Sequence, residues 1–101
     1  MASLWFLEVK EIKMANLGRF RITAKADGEP SWTNLTELAG ITEKCYIQNI
    51  NNACVCCEKE TMPNEDEGFI VAEGEKWGTD ASLPVWVKPY NAKNYLDVNV
   101  G

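Results

Sequence analysis

Hydrophobic and polar residues alternate in several short stretches along this chain. In the stretch 19–25, Phe20, Ile22 and Ala24 are interleaved with arginine, threonine and lysine. A period of two is typical of a β-strand that buries one face. The sequence DGEP at 27–30 follows and predicts a turn, because glycine and proline adopt or fix backbone angles that end a strand.

A second alternating segment, KCYIQNI at 44–50, places Cys45 and Ile47 on one face, with Tyr46 on the other. Two asparagines come next, and asparagine tolerates the positive φ that tight hairpin turns require. The segment ACVCCEKE at 53–60 then has strand character again. We therefore predict that these two segments form a β-hairpin.

The rest of the chain continues this pattern of short strands and turns. The later strand candidates are GFIVAEGEKW at 68–77, with a turn at Gly74, PVWVKPY at 84–90 and YLDVNV at 95–100. Residues 31–43 lack a strand period and predict a loop with one helical turn. The sequence thus predicts an all-β fold, a small antiparallel β-sandwich or jelly-roll-like barrel of six to eight short strands.

The first 13 residues differ from the rest. Trp5, Val9 and Ile12 fit helical spacing, and together with Phe6 they stand among glutamate and lysine. A chain of 101 residues has room for only one hydrophobic core. We expect residues 1–13 to form an N-terminal arm or extension and residues 14–101 to form a single β-sandwich domain.

The charge and composition of the chain argue against two classes of binding partner, nucleic acids and membranes. The formal net charge is −5, and nucleic-acid binding needs a clustered basic surface. No apolar run approaches the roughly 20 residues of a membrane span, and we expect no secretory signal. We therefore predict neither a nucleic-acid nor a membrane partner, and we expect the four cysteines to be reduced thiols.

No catalytic centre, cofactor or metal site is predicted. Histidine, the most common general base and metal ligand, is absent. A four-thiolate zinc site from Cys45 and the three cysteines of 54–57 is disfavoured, because a C-x-C-C run in a strand divides its thiols between two faces. The acidic stretch 58–67 lacks the residue order of an EF-hand, and we interpret it as a solvated loop.

The tryptophans suggest surfaces for contact. Trp86 lies between Val85 and Val87, so it faces away from both, which indicates a subunit interface. An alternative function from a different class is carbohydrate binding for host recognition. In that case Trp32, Trp86 or Tyr90 would form a stacking platform for a sugar.

The region from Lys44 to Tyr90 resembles small structural proteins of tailed bacteriophages. The resemblance rests on YIQNI, the asparagine turn with its following strand, GFIVAEGEKW and PVWVKPYN. It covers about half of the chain, and its motifs are signatures of turns and core. The sequence departs from the family pattern at Ala72-Glu73, where proline commonly precedes the glycine, and in the unusual CVCC run at 54–57.

The resemblance implies a non-enzymatic virion structural protein: a capsid decoration, a head fibre or a tail component. Such proteins are compact β-sandwiches that assemble on the virion, as homo-oligomers in contact with other capsid or tail proteins. The oligomer order, with a trimer as one option, stays open, and we expect assembly in the host cytoplasm. We predict assembly contacts at Trp5, Phe6, Val9, Ile12 and Trp86. The family implies no catalytic residue.

Overall fold

The described residues form eight β-strands and one short helix. The computed structural model describes residues 17–24, 31–90 and 94–101. In chain order the elements are β1 (Gly18–Thr23), β2 (Thr33–Asn34), α1 (Leu35–Ala39), β3 (Cys45–Asn49), β4 (Cys54–Glu58), β5 (Phe69–Val71), β6 (Lys76–Thr79), β7 (Val85–Pro89) and β8 (Tyr95–Val100).

The strands form two antiparallel four-stranded sheets. Sheet 1 has the order β1-β8-β3-β6, and sheet 2 has the order β2-β7-β4-β5. The predicted all-β sandwich and its number of strands are therefore confirmed. The edges are β1 and β6 in sheet 1, and β2 and β5 in sheet 2.

The core lies between the two sheets and follows the predicted alternation. Ile22 of β1 and Ile47 of β3 are buried, whereas Arg19 and Arg21 are exposed. In β7, Val85 and Val87 face inward and Trp86 faces outward; their spacing predicts opposite faces but not which of them is buried. The buried apolar residues of the core cluster are Ile22, Leu35, Ile41, Cys45, Ile47, Cys54, Cys56, Val71, Val85, Val87, Leu96, Val98 and Val100.

The predicted hairpin between the KCYIQNI and ACVCC strands is wrong. Strand β3 pairs with β6 and β8, whereas β4 pairs with β5 and β7, so the two strands lie in opposite sheets. Residues 50–53 cross between the sheets instead of making a tight turn. Asn51 accepts a hydrogen bond from the Asp97 backbone N–H (2.9 Å) and donates one to the Asp97 carboxylate (3.0 Å). An alternating pattern identifies the buried face of a strand, but it does not identify the neighbouring strand.

The predicted single helical turn in residues 31–43 is confirmed as α1. The Asn34 side chain caps the helix by accepting a hydrogen bond from the Glu37 N–H at 3.1 Å. Gly40 ends it in a left-handed conformation with φ of 73°. Leu35 is fully buried, so the helix covers the core beside β7.

Candidate interaction surfaces

The short edge strand β5 exposes two large hydrophobic side chains. Phe69 is 76% exposed and Ile70 is 60% exposed, while Val71 of the same strand is buried. Phe69 lies opposite Cys56 and therefore on the inward face, but it extends beyond the cover of sheet 1. Ile70 lies on the outer face, opposite Val55. Two adjacent hydrophobic side chains at an unpaired sheet edge are typical of an interaction surface.

A cleft opens between the two sheet edges at this side of the sandwich. It has a volume of about 400 Å³ and is lined by residues of β4, β5 and β6, which are Cys56, Cys57, Glu58, Phe69, Val71, Trp77 and Gly78. Strand β5 is an edge of sheet 2 and β6 an edge of sheet 1, and the lining of the cleft includes the buried residues Cys56 and Val71. Its walls are mostly apolar. We call this cleft, together with Phe69 and Ile70, the edge cleft.

A buried asparagine, Asn49, forms hydrogen bonds with two residues that line the edge cleft, Val71 and Trp77. Asn49 is fully buried at the end of β3, and its amide donates to the Val71 carbonyl oxygen at 3.0 Å. Its carbonyl oxygen accepts a hydrogen bond from Trp77 Nε1 at 3.3 Å. The side chain thereby links β3 in sheet 1 to β5 in sheet 2 and orients Trp77. Replacing a buried amide that has several hydrogen-bond partners lowers stability, because each buried polar group left without a partner costs about 1–3 kcal/mol.

The outer face of sheet 2 is covered by residues 59–68, which we call the acidic loop. Trp32 is only 3% exposed, and its Nε1 donates to the Asn64 carbonyl oxygen at 3.2 Å. Lys88 lies over the Trp32 ring, 4.5 Å from its centroid, and donates to the Glu65 carbonyl oxygen at 2.8 Å. At the start of the loop, the Lys59 ammonium contacts the Glu67 carboxylate at 2.8 Å.

The expectation of a simply solvated acidic stretch is therefore only partly right. Asp66 and Glu60 are exposed, but Glu65 and Glu67 form ion pairs with lysines that hold the loop on the sheet. The Asn64 backbone N–H donates to the Glu67 carboxylate, and with the Lys59 ammonium it lowers the pKa of Glu67. The Lys59–Glu67 pair lies within the loop, whereas Lys88 of β7 links the loop to sheet 2 through Glu65.

The structure separates the three aromatic residues that were considered as a sugar platform. Trp32 is buried under the acidic loop. Trp86 is half-buried on the outer face of sheet 2, and its Nε1 donates to the Lys59 carbonyl oxygen at 2.9 Å. Tyr90 is half-buried after the end of β7. The face predicted for Trp86 is confirmed, and its role in assembly stays a prediction.

The cysteines are divided between the two sheets. Cys45 belongs to sheet 1, and Cys54 and Cys56 to sheet 2, and all three are buried free thiols. Burial raises the pKa of Cys45, and contact with Cys56 together with burial raises the pKa of Cys54. These two thiols are therefore packed as hydrophobic groups rather than as reactive thiolates. Within the described ranges, no three His, Cys, Asp or Glu side chains are grouped to hold a metal ion.

Four of the predicted contact residues, Trp5, Phe6, Val9 and Ile12, lie outside the described residues. Comparisons with protein-family models, with curated proteins and with solved structures find no match to this chain. No helix in the described part of the chain is long and apolar enough to cross a membrane.

Sequence reasoning missed the most exposed residues of the edge cleft and the cover of sheet 2. The sequence pattern indicates only that Phe69 and Ile70 belong to a strand. Their exposure follows from the position of β5 as a short edge strand, which the pattern does not show. The sequence does contain one signal that the acidic loop packs on the sheet. The lysines at 59 and 88, each in or beside a strand, provide charges that carboxylates nearby in the fold can neutralise.

Proposed function

We propose that this chain is a non-enzymatic structural component of a tailed-bacteriophage virion, which acts through assembly contacts. The resemblance of residues 44–90 to phage structural proteins supports this function. The observation that carries it is the edge cleft, where Phe69 and Ile70 are 76% and 60% exposed at a sheet edge. Exposure of such side chains is costly in an isolated domain and favourable in an assembly.

The occupant that we propose for the edge cleft is the segment 1–13 of a neighbouring copy. This segment carries the four apolar residues predicted as contacts, Trp5, Phe6, Val9 and Ile12. The described chain starts at Leu17, whose N–H donates to the Val100 carbonyl oxygen at 2.8 Å, beside β1. Strand β1 is the sheet edge opposite to β6. Leu17, the first described residue, therefore lies at the edge of sheet 1 away from the cleft, and we propose that the segment binds the cleft of a neighbouring copy.

The reach of the segment is sufficient for such an exchange. Thirteen residues in an extended conformation span at most about 43 Å. A four-stranded sheet is only about 15–20 Å wide. An exchanged arm would bury the apolar side chains of both partners and would make a homo-oligomer, with a ring as one closed form of the head-to-tail contact.

The test uses two variants that each lack one half of the proposed contact. Deletion of residues 1–13 removes the arm but leaves every residue of the core cluster, which begins at Ile22. The double variant Phe69→Ser, Ile70→Thr removes the two exposed hydrophobic side chains of β5, one that lines the cleft and one beside it. Light scattering after size-exclusion chromatography should show an oligomer for the wild type and a monomer for each variant. An equimolar mixture of the two variants should associate, because it contains one intact arm and one intact cleft.

A matched control is Leu38→Ser, which removes an exposed leucine from α1, a helix that contacts β1, β2 and β7 rather than the edge cleft. This variant should associate like the wild type. A monomeric wild type at all concentrations, or double-variant protein that still forms the oligomer, would overturn the proposed arm exchange. Circular dichroism of each variant establishes that the sandwich is still folded.

A further inference from the structure

The outer face of sheet 1 presents one strongly exposed aromatic side chain, that of Tyr46. Its ring is 57% exposed and lies against Gly78 of β6, the residue opposite in the register. A Cβ atom at position 78 would lie 3.4 Å from two atoms of the ring, so the glycine allows the ring to lie flat. On the other side, Tyr46 and Gly101 exchange two backbone hydrogen bonds of 2.7 and 2.8 Å. Neither cross-strand neighbour therefore has a side chain that would cover the ring.

A groove of about 300 Å³ runs beside the Tyr46 ring, and amide side chains line it. Gln48 and Asn99 are opposite each other in the register of β3 and β8, and both line the groove. The Gln48 amide donates to the Gly74 carbonyl oxygen at 3.1 Å, which fixes its orientation. An aromatic surface with a few fixed polar groups is the usual composition of a small-molecule site.

Gln48 and Asn99 belong to a row of polar side chains that has a positively charged residue at each end. Lys76 is opposite Gln48, and Arg19 is opposite Asn99, so the row Lys76-Gln48-Asn99-Arg19 crosses all four strands of sheet 1. The row extends over three strand spacings, or about 14 Å. Among the described residues, neither Lys76 nor Arg19 forms an ion pair with a carboxylate. A basic row on a protein of net charge −5 favours an anionic ligand.

We propose that this groove, the Tyr46 groove, binds an acidic saccharide. The apolar face of a pyranose ring packs on Tyr46, the amides of Gln48 and Asn99 bind its hydroxyl groups, and Lys76 pairs with its carboxylate, sulfate or phosphate group. Two separate cations on a negatively charged chain are too few for a polynucleotide backbone, which needs a clustered basic surface. The site lies on a different surface from the edge cleft, so it does not depend on the assembly proposed above.

A glycan array that contains neutral, uronic-acid, sialylated, sulfated and phosphorylated glycans tests this site. The wild type should bind at least one anionic class in preference to its neutral counterpart. Tyr46→Ala should weaken that binding at least tenfold, and Lys76→Gln should weaken it less and reduce its dependence on salt. The matched control is Tyr95→Ala, because Tyr95 is on the same face and 39% exposed but does not line the groove.

Several results would overturn the assignment. These are the absence of binding across the array, a preference for neutral glycans, equal loss in the Tyr95→Ala variant, and binding that survives Tyr46→Ala. Tyr46 is exposed, so its replacement leaves the core unchanged and loss of binding would not reflect unfolding. In solution, the Phe69→Ser, Ile70→Thr variant should bind the free glycan with the same affinity per site as the wild type, which distinguishes failure of this site from failure of the edge cleft.

Discussion

Both sheets carry aromatic residues on their outer faces, but among the described residues only sheet 2 has its aromatic surface covered by another segment of the chain. There the acidic loop lies over Trp32, and Lys59 and Lys88 hold it in place through ion pairs. On sheet 1, Tyr46 is flanked by glycines and stays exposed. In the described part of the chain, sheet 2 thus has an additional layer over its outer face, whereas no described segment covers Tyr46 on sheet 1.

The largest expected difference between the two faces is in their contribution to stability. Trp32→Ala removes a buried side chain and should lower the free energy of unfolding by about 3–5 kcal/mol. Tyr46→Ala removes an exposed side chain and should change it by no more than about 0.5 kcal/mol. Urea denaturation of the two variants measures both values. Similar values for the two would mean that the acidic loop does not bury Trp32 in solution.

The contrast between the faces also shows how far the sequence could predict this fold. The alternation in β1 correctly predicted that Ile22 is buried, and in β3 and β7 it correctly divided the residues between two faces, because side-chain polarity and spacing follow the strand period. The pairing of β3 was not predictable in this way, since its partners β6 and β8 are distant in sequence. For the same reason the spacing around Trp86 predicted a face opposite to Val85 and Val87 but not which face is outer or which chain segment contacts Trp86.

A pair of glycines provides a sharper test of the covered face. Gly68 in the acidic loop and Gly74 in the turn before β6 both have positive φ, of 103° and 84°. A Cβ at Gly68 would approach the Cys56 carbonyl oxygen to 2.7 Å, whereas one at Gly74 would meet nothing within 4 Å. Gly74→Ala should therefore cost about 1 kcal/mol from backbone strain alone, and Gly68→Ala about 2–4 kcal/mol because strain and overpacking add. Equal costs in thermal unfolding would contradict the close approach of the loop to β4.

Substitution of a lysine on each face should give a smaller difference in the free energy of unfolding. Lys88→Gln removes a cation that contacts both the Trp32 ring and the acidic loop, and it should destabilise the fold by about 1 kcal/mol. Lys76→Gln on sheet 1 removes an exposed cation and should change stability by no more than about 0.5 kcal/mol. Chemical denaturation at low and high salt measures both effects. A larger effect at Lys76 would mean that sheet 1 is covered after all.

The smallest expected effect is a local opening of the acidic loop in acid. The folded pKa of Glu67 is below its unfolded value of about 4.3, so its contribution is present above that pH and is lost as pH falls through the folded pKa. The indole N–H resonance of Trp32 should shift in this range. Glu67→Gln should remove the shift, and Asp66→Asn, an exposed neighbour in the same loop, should retain it. An unchanged acid shift in Glu67→Gln would show that another group controls the loop.

The central claim is that this domain works through its exposed edge as part of a virion. The most direct measurement of this proposed function is the amount of the chain in purified virus particles from a host that expresses it, by quantitative mass spectrometry. The wild type should be present in a fixed number of copies per particle. The Phe69→Ser, Ile70→Thr variant should be expressed and folded but absent from particles. A wild-type chain found only in the lysate and never in the particles would contradict the account.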